Sequence, residues 1–266
     1  MGKGRPFLEI FTYALDEDYR FPILEIFAFL FALGTFVFAN FALYGQTGEA
    51  LAYNLVSTLC GFPLLFIFVV LILKNVAYGL GGDLEKGVMQ TLFSYPLKRR
   101  YILTAKLLSG LGIALLLFLG IQIFGLFLLA PNVILTYPST VFLTYAAQLC
   151  SPALLLAGLV LLVTLRLKRG GLAVIIGVVL LFAGLVVSGL VTSIAYGTGS
   201  DLSLKIWAVI NPNSALQRYY MGAVGFASET WVPSFSEVLL YLGAGYLIVA
   251  ALFVVGYVYF ERRLEI

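Results

Sequence analysis

Six long apolar stretches constrain this chain more than any other feature of its sequence. A helix needs about 20 consecutive apolar residues to cross the hydrocarbon core of a bilayer, and each stretch meets or exceeds that length. Only 11% of the 266 residues are charged, against about 25% in an ordinary soluble domain. We therefore predict an all-α membrane protein, a single transmembrane domain over residues 1–266. The six predicted transmembrane helices are residues 21–44, 53–73, 103–129, 141–165, 172–196 and 238–260.

The segment before the first span has the pattern of a surface helix. Phe7, Ile10, Phe11 and Ala14 recur at helical spacing, which predicts an amphipathic helix lying flat on the membrane within residues 1–20. Chance periodicity in a frayed terminus is the alternative. The charge run that follows, Asp16-Glu17-Asp18, is predicted to be a solvated face.

Two further segments are too polar to be spans. Residues 81–100 form a polar connection between the second and third spans, and residues 197–236 separate the fifth from the sixth. The second segment holds both tryptophans, Trp207 and Trp231. Because Trp and Tyr gather where a membrane meets water, residues 197–236 are predicted to form an insertion in the outer interface.

Lys and Arg are concentrated on one side of the predicted topology. With six spans, the N-terminal segment, region 74–106, turn 166–169 and the C-terminal tail share one side, and they hold three, six, three and two of the 16 Lys and Arg. Only Lys205 and Arg218 fall on the opposite side. Basic loops remain in the cytoplasm. Both termini and residues 81–100 are therefore predicted to be cytoplasmic, and residues 197–236 extracytoplasmic.

The polar connection has the features of a short helix. Asp83 can cap it, Glu85 falls in its first turn where the helix dipole favours an anion, and Pro96 ends the pattern before the basic run 98–100. These features predict a cytoplasmic helix of two to three turns over residues 81–95. The spacing of Asp83 and Glu85 leaves three readings open: a partner contact, a metal pair, or an ordinary solvated helix start.

Residue types that carry out catalysis are scarce. The chain contains no histidine, which excludes Ser–His hydrolases and His-ligated metal centres. The glycines at 79–87 lack the Lys-Ser/Thr ending of a phosphate-binding loop. We therefore expect no enzymatic activity, no metal or cofactor site and no nucleic-acid binding in this chain. Glu25, Lys74 and Glu237 fall near the ends of predicted spans, so no proton relay through a span is expected.

Uncharged polar residues inside the spans are candidates for a substrate path. Asn40, Asn54, Gln122 and Gln148 are the four that we single out. The alternative is that these side chains form hydrogen bonds to neighbouring helices, as such groups often do in membranes.

Residues 85–106 resemble the membrane subunits of type-2 ATP-binding-cassette (ABC) transporters. In those permeases an acidic residue and a glycine on a short cytoplasmic helix precede a Pro, a basic pair and a Lys at the foot of the third span. Glu85-Lys86-Gly87, Pro96, Arg99-Arg100 and Lys106 stand here in that order. The helix before the first span and the insertion at 197–236 are similar to further parts of the family's architecture.

The resemblance implies a permease, an exporter, in a prokaryotic plasma membrane. The 81–95 helix would be the coupling helix on which a separate cytoplasmic ATPase subunit, which binds ATP and Mg, docks. Two six-span subunits, identical or different, would form the pathway within the lipid bilayer. The alternative is a multi-span scaffold or assembly factor without transport activity. The residues implied to contact the ATPase are Asp83, Glu85, Lys86, Gly87, Met89 and Gln90.

Overall fold

The computed structural model describes residues 5–42, 47–94, 98–222 and 231–262. All regular structure in these ranges is helical, and six helices are long and apolar enough to cross a membrane. The predictions of all-α structure and of six helices able to cross a membrane are therefore confirmed for the described residues. In chain order, the first to sixth spans are Ile23–Ala42, Pro63–Glu85, Arg99–Leu129, Pro138–Leu167, Gly170–Ala195 and Phe235–Arg262.

Shorter helices connect the spans or pack against their ends. The N-terminal helix is Arg5–Asp18, and the helix that we call the connector helix is Val88–Ser94. The fifth span continues without a break to Thr198. The other short helices are Gly48–Leu59, Pro131–Thr136, Leu202–Ile210 and Pro212–Met221.

The second span differs from its predicted bounds, 53–73. The apolar helix Gly48–Leu59 is separate and ends at Cys60, and Pro63 occupies the first turn of the span itself. Proline has no N–H group to donate but fits the first turn of a helix, so Pro63 begins the span and does not interrupt it. At the other end the helix continues to Glu85, because protein groups bind its polar side chains.

The ends of the helices gather in two groups. At one end Phe93 packs edge-on against Phe260, with 5.7 Å between ring centroids. At the other end the ring of Tyr53 stacks on Tyr220, and its hydroxyl donates to Asn213 Oδ1 at 3.3 Å. Among the described residues, every Lys and Arg except Lys205 and Arg218 lies on the side of the first group. We call this group the basic end, and the group around helices 202–221 the insertion end.

The backbones of the second and fifth spans come close together at two glycines of the basic end. A Cβ atom added to Gly81 would lie 2.6 Å from the Cα atom of Gly170 and 2.9 Å from its backbone nitrogen. Backbone atoms cannot move aside as a flexible side chain can. The two helices can therefore meet only because both residues are glycine and have no side chain.

We predict that Gly81→Ala lowers the stability of the protein, since the added methyl group must displace backbone. The expected loss is about 1–3 kcal/mol, measured as a lower Tm in detergent. Gly82→Ala is the matched control, because a Cβ atom at Gly82 meets no heavy atom within 4 Å. Equal Tm values for the two variants would contradict the prediction.

Candidate functional site

The connector helix is separated from the second span by a turn at Gly87. The span ends at Glu85, Lys86 is its C-cap, and Gly87 has a φ of 76°, a conformation that glycine adopts without strain. The predicted helix over 81–95 is therefore two elements: the last turn of a span and a separate short helix. Asp83 lies in that last turn and does not begin a helix, so the predicted cap is wrong. Pro96 lies outside the described residues.

The connector helix has one buried and one exposed face. Met89 and Leu92 are buried in the core, and Phe93 packs against Phe260 at the end of the sixth span. On the other face Gln90 and Thr91 are exposed. The helix is thereby fixed to the bundle along its apolar side and presents a polar edge to its surroundings.

The residues that the resemblance implies to contact a partner also divide into exposed and buried ones. Glu85, Lys86 and Gln90 are exposed, whereas Asp83 and Met89 are buried. A partner at this surface would touch the exposed three. Asp83 and Met89 would act on it only through the position of the helix.

Asp83 takes part in a buried ion pair between the second and third spans. Its Oδ2 atom lies 2.6 Å from Lys106 Nζ, and the two side chains are only 5% and 6% exposed. Lys106 Nζ also lies 2.6 Å from Glu17 Oε2 of the N-terminal helix. One ammonium group thus joins three elements, and the reading of Asp83 as a solvated helix start is wrong.

A second buried polar cluster lies beside this ion pair. Ser109 Oγ donates to Asp18 Oδ2 at 2.6 Å, and the Nζ of Lys74 donates to the backbone oxygen of Asp18. Asp18 is 6% exposed. The prediction that the whole run Asp16-Glu17-Asp18 is a solvated face is therefore wrong for Asp18. Burial raises the pKa of the Asp18 carboxyl group to about 6, although the Ser109 hydrogen bond and the charge of Lys106 act to lower it.

The same cluster binds a carbonyl group in the third span. Residues 73–79 of the second span and 108–112 of the third are π-helical, a form frequent at functional sites. The oxygen of Gly110 accepts hydrogen bonds from Asn75 Nδ2 at 3.0 Å and from the Tyr19 hydroxyl at 3.3 Å. Asn75 and Tyr19 therefore tie the two π-helical segments to the end of the N-terminal helix.

Lys74 marks how far the second span extends. It was predicted near the end of its span but lies at the middle of Pro63–Glu85. Lys74 contacts Asp18, the last residue of the N-terminal helix. Along the bundle axis, Lys74 therefore lies at the same height as the connection between the N-terminal helix and the first span. At 1.5 Å per residue the helix from Lys74 to Glu85 extends about 16 Å past that level. We call residues 74–85 the stalk.

Glu85 and Asp83 bind different groups. Glu85 Oε2 accepts a hydrogen bond from the backbone nitrogen of Gly170 at 3.3 Å, whereas Asp83 pairs with Lys106. Among the described residues no group of three or more His, Cys, Asp or Glu side chains could hold a metal ion. The geometry therefore does not favour reading the two carboxylates as a metal pair.

The four candidate pathway residues differ in their contacts. Asn40 donates to the Phe36 oxygen of its own helix, and Asn54 to the Ala42 oxygen at the end of the first span. Gln122 is buried and donates to the Leu59 oxygen at 3.1 Å, beside the break that precedes the second span. Gln148 is also buried, next to the π-helical segment of the fourth span. Asn54 and Gln122 thus form hydrogen bonds to neighbouring helices, as the alternative to a substrate path predicts.

The sequence of the N-terminal helix contains one signal that Asp18 is buried. Ile10, Ala14 and Asp18 follow one another at intervals of four residues, and all three are buried. A carboxylate that continues the apolar face of a helix must find partners in the protein. Asn75 and Ser109 have no comparable signal, because only the fold places them near Asp18.

Comparison of the chain with protein-family models and with curated proteins gave no match. The resemblance at residues 85–106 therefore stays a prediction.

We predict that Lys106→Met destabilises the protein more than Asp83→Asn. Removing Lys106 leaves Asp83 as an unpaired buried charge, which costs about 3–5 kcal/mol, whereas Asp83→Asn leaves Lys106 paired with Glu17. Tm in detergent measures both. Asp201→Asn is the control, since Asp201 pairs with Lys205 at an exposed site where such a pair contributes about 0–1 kcal/mol. The reverse order of the two Tm losses would contradict the prediction.

We also predict that Asp18→Asn changes how stability depends on pH. Between pH 4 and 6 the folded protein keeps a proton on Asp18 that the unfolded chain releases, so the contribution of Asp18 to stability falls as the pH rises. Asparagine cannot titrate and can still accept the bond from Ser109. The variant should therefore gain on the order of 3 kcal/mol relative to wild type between pH 4 and 7, measured by Tm in detergent across that range. Parallel pH curves for the two proteins would contradict this.

Proposed function

We propose that this chain is the membrane-spanning permease subunit of an ABC transporter, an exporter, driven by a separate cytoplasmic ATP-binding subunit. The observation that carries the proposal is the connector helix. Its apolar side is held by Met89, Leu92 and Phe93, and its polar edge is exposed at the end of the stalk. A partner that pushes on this edge acts directly on the second span.

The ion pair of Asp83 with Lys106 supports this role. It joins the stalk to the third span, and Glu17 joins both to the N-terminal helix. Displacement of the connector helix would therefore move three elements as one unit. Force applied by a partner would reach the spans without loss in a flexible loop.

The charge distribution supports a cytoplasmic basic end. The sequence places 14 of 16 Lys and Arg on that side of a six-span topology, and cytoplasmic loops carry such an excess. In this orientation both termini and the connector helix face the cytoplasm, where ATP is available. The insertion end then faces the outside of a prokaryotic plasma membrane.

The exposed fifth span supports a second subunit. Only 11% of its apolar stretch is buried within the chain, the smallest share of the six spans. A Cβ atom at Gly184 or Gly189 would meet no heavy atom within 4 Å, so another helix can approach closely there. We assign this face to a second permease subunit, with lipid covering the rest.

Cysteine cross-linking at the connector helix tests the proposal. Both native cysteines, Cys60 and Cys150, are buried, so Gln90→Cys introduces the reactive thiol. In native membranes we expect Gln90→Cys to cross-link to a subunit that binds ATP. Asn132→Cys, an exposed position at the insertion end, should not do so.

A charge reversal measures the function of the same edge. Lys86→Glu should lower the ATPase rate of the purified complex about tenfold, which corresponds to about 1.4 kcal/mol, while Asn132→Ala should leave it unchanged. If no ATPase co-purifies with the chain, or if Lys86→Glu leaves the rate unaltered, the permease proposal fails. A scaffold without transport activity would then be the better interpretation.

A further inference from the structure

A polar cavity of about 300 Å³ lies at the insertion end. The end of the fifth span forms one wall with Ser188 and Thr192, and the helices Leu202–Ile210 and Pro212–Met221 with their junction form the others. This volume is at the lower end of the range for ligand cavities, about 300–1,000 Å³. It is large enough for one small organic molecule.

The wall of this cavity is rich in hydrogen-bonding groups. Eight of the ten described lining residues carry one in the side chain. Some of these groups are already used within the protein: the Thr192 hydroxyl group donates to the backbone oxygen of Ser188 at 2.9 Å, and Asn213 Oδ1 accepts from the Tyr53 hydroxyl group. The cavity is therefore built to hold a polar occupant, with part of its wall fixed in advance.

Two lining residues keep a buried polar atom without a hydrogen bond. They are Trp207, through its Nε1 donor, and Asn211, through its Oδ1 acceptor. A buried polar group left in this state destabilises the folded protein. Both atoms are covered in the empty cavity, so a rotation of the two side chains is needed to present them. A ligand hydroxyl group accepts one hydrogen bond and donates another and would then match this donor and acceptor.

A second cavity shows that size alone does not explain these features. It lies between the first and third spans, has a volume of about 350 Å³, and is walled by apolar side chains such as Phe36, Phe124 and Leu128. Thr35 Oγ1 is its one buried polar atom without a partner among the described lining residues. A cavity of similar size in the same bundle thus has the opposite chemistry.

We propose that the cavity at the insertion end is a binding site for a small polyhydroxylated molecule of the monosaccharide class. Trp207 donates to a ligand oxygen, Asn211 accepts from a ligand hydroxyl group, and the Ser188 and Thr192 hydroxyl groups bind the opposite side. Arg218 is the one charged side chain among the described lining residues, so a uronic acid is accepted as well as a neutral sugar. The site does not depend on the permease proposal, since binding is tested on the chain alone.

Tryptophan fluorescence gives a direct test. The chain has two tryptophans, so Trp231→Phe leaves Trp207, which lies in the cavity wall, as the only source of tryptophan fluorescence. The protein in lipid nanodiscs is titrated with glucose, glucuronate or inorganic sulfate, each to about 50 mM, where a site with a Kd of about 1 mM is saturated. We expect a saturable change in Trp207 emission with glucose, glucuronate or both, and none with sulfate.

Two substitutions in this background locate the binding. Asn211→Ala should weaken it at least tenfold, whereas Thr35→Val, in the apolar cavity, should leave it unchanged. If Asn211→Ala does not fold, the ligand-induced rise in Tm of the unmutated chain replaces it as the readout. No emission change with either sugar, an equal response to sulfate, or equal affinity in the Asn211→Ala and Thr35→Val variants would overturn the proposal.

Discussion

The stabilisation of an ammonium group inside an apolar bundle is the interaction on which the basic end depends. Lys106 is almost fully buried and meets the carboxylates of Asp83 and Glu17 at 2.6 Å each. An isolated charge in such a place costs several kcal/mol. Folding therefore requires that both carboxylates lie next to the ammonium group of Lys106. That requirement fixes the stalk, the third span and the N-terminal helix relative to one another.

Helix irregularity and glycine make this arrangement possible. The π-helical segments turn Asn75 and the Gly110 carbonyl group toward each other, and Tyr19 completes the contact. Gly81 and Gly170 let the second span meet the fifth with backbone against backbone. The polar contacts at this end thus depend on π-helical geometry, and the close packing depends on glycine.

Apolar length and charge sufficed to predict six spans, but not where the second span lies. The apolar run at 53–60 belongs to a separate helix, and the polar residues after Leu73 belong to the span. A hydropathy argument ends a helix where polar residues begin. Here Lys74, Asn75 and Asp83 continue it, because their partners come from segments far away in sequence. The same long-range pairing explains why the predicted site over 81–95 divides into a buried and an exposed part. It also explains why the charge pattern alone predicts a solvated Asp18.

The stalk also has a mechanical consequence. Because residues 74–85 form an unbroken helix that projects about 16 Å beyond Lys74, they act as a lever whose short turn at Gly87 carries the connector helix at its tip. A tilt of the second span by about 10° around Lys74, together with the elements joined to it through Lys106, would move that tip by about 3 Å. Small rotations inside the bundle therefore become side-chain-sized displacements at its basic surface, and a displacement imposed there becomes a rotation inside.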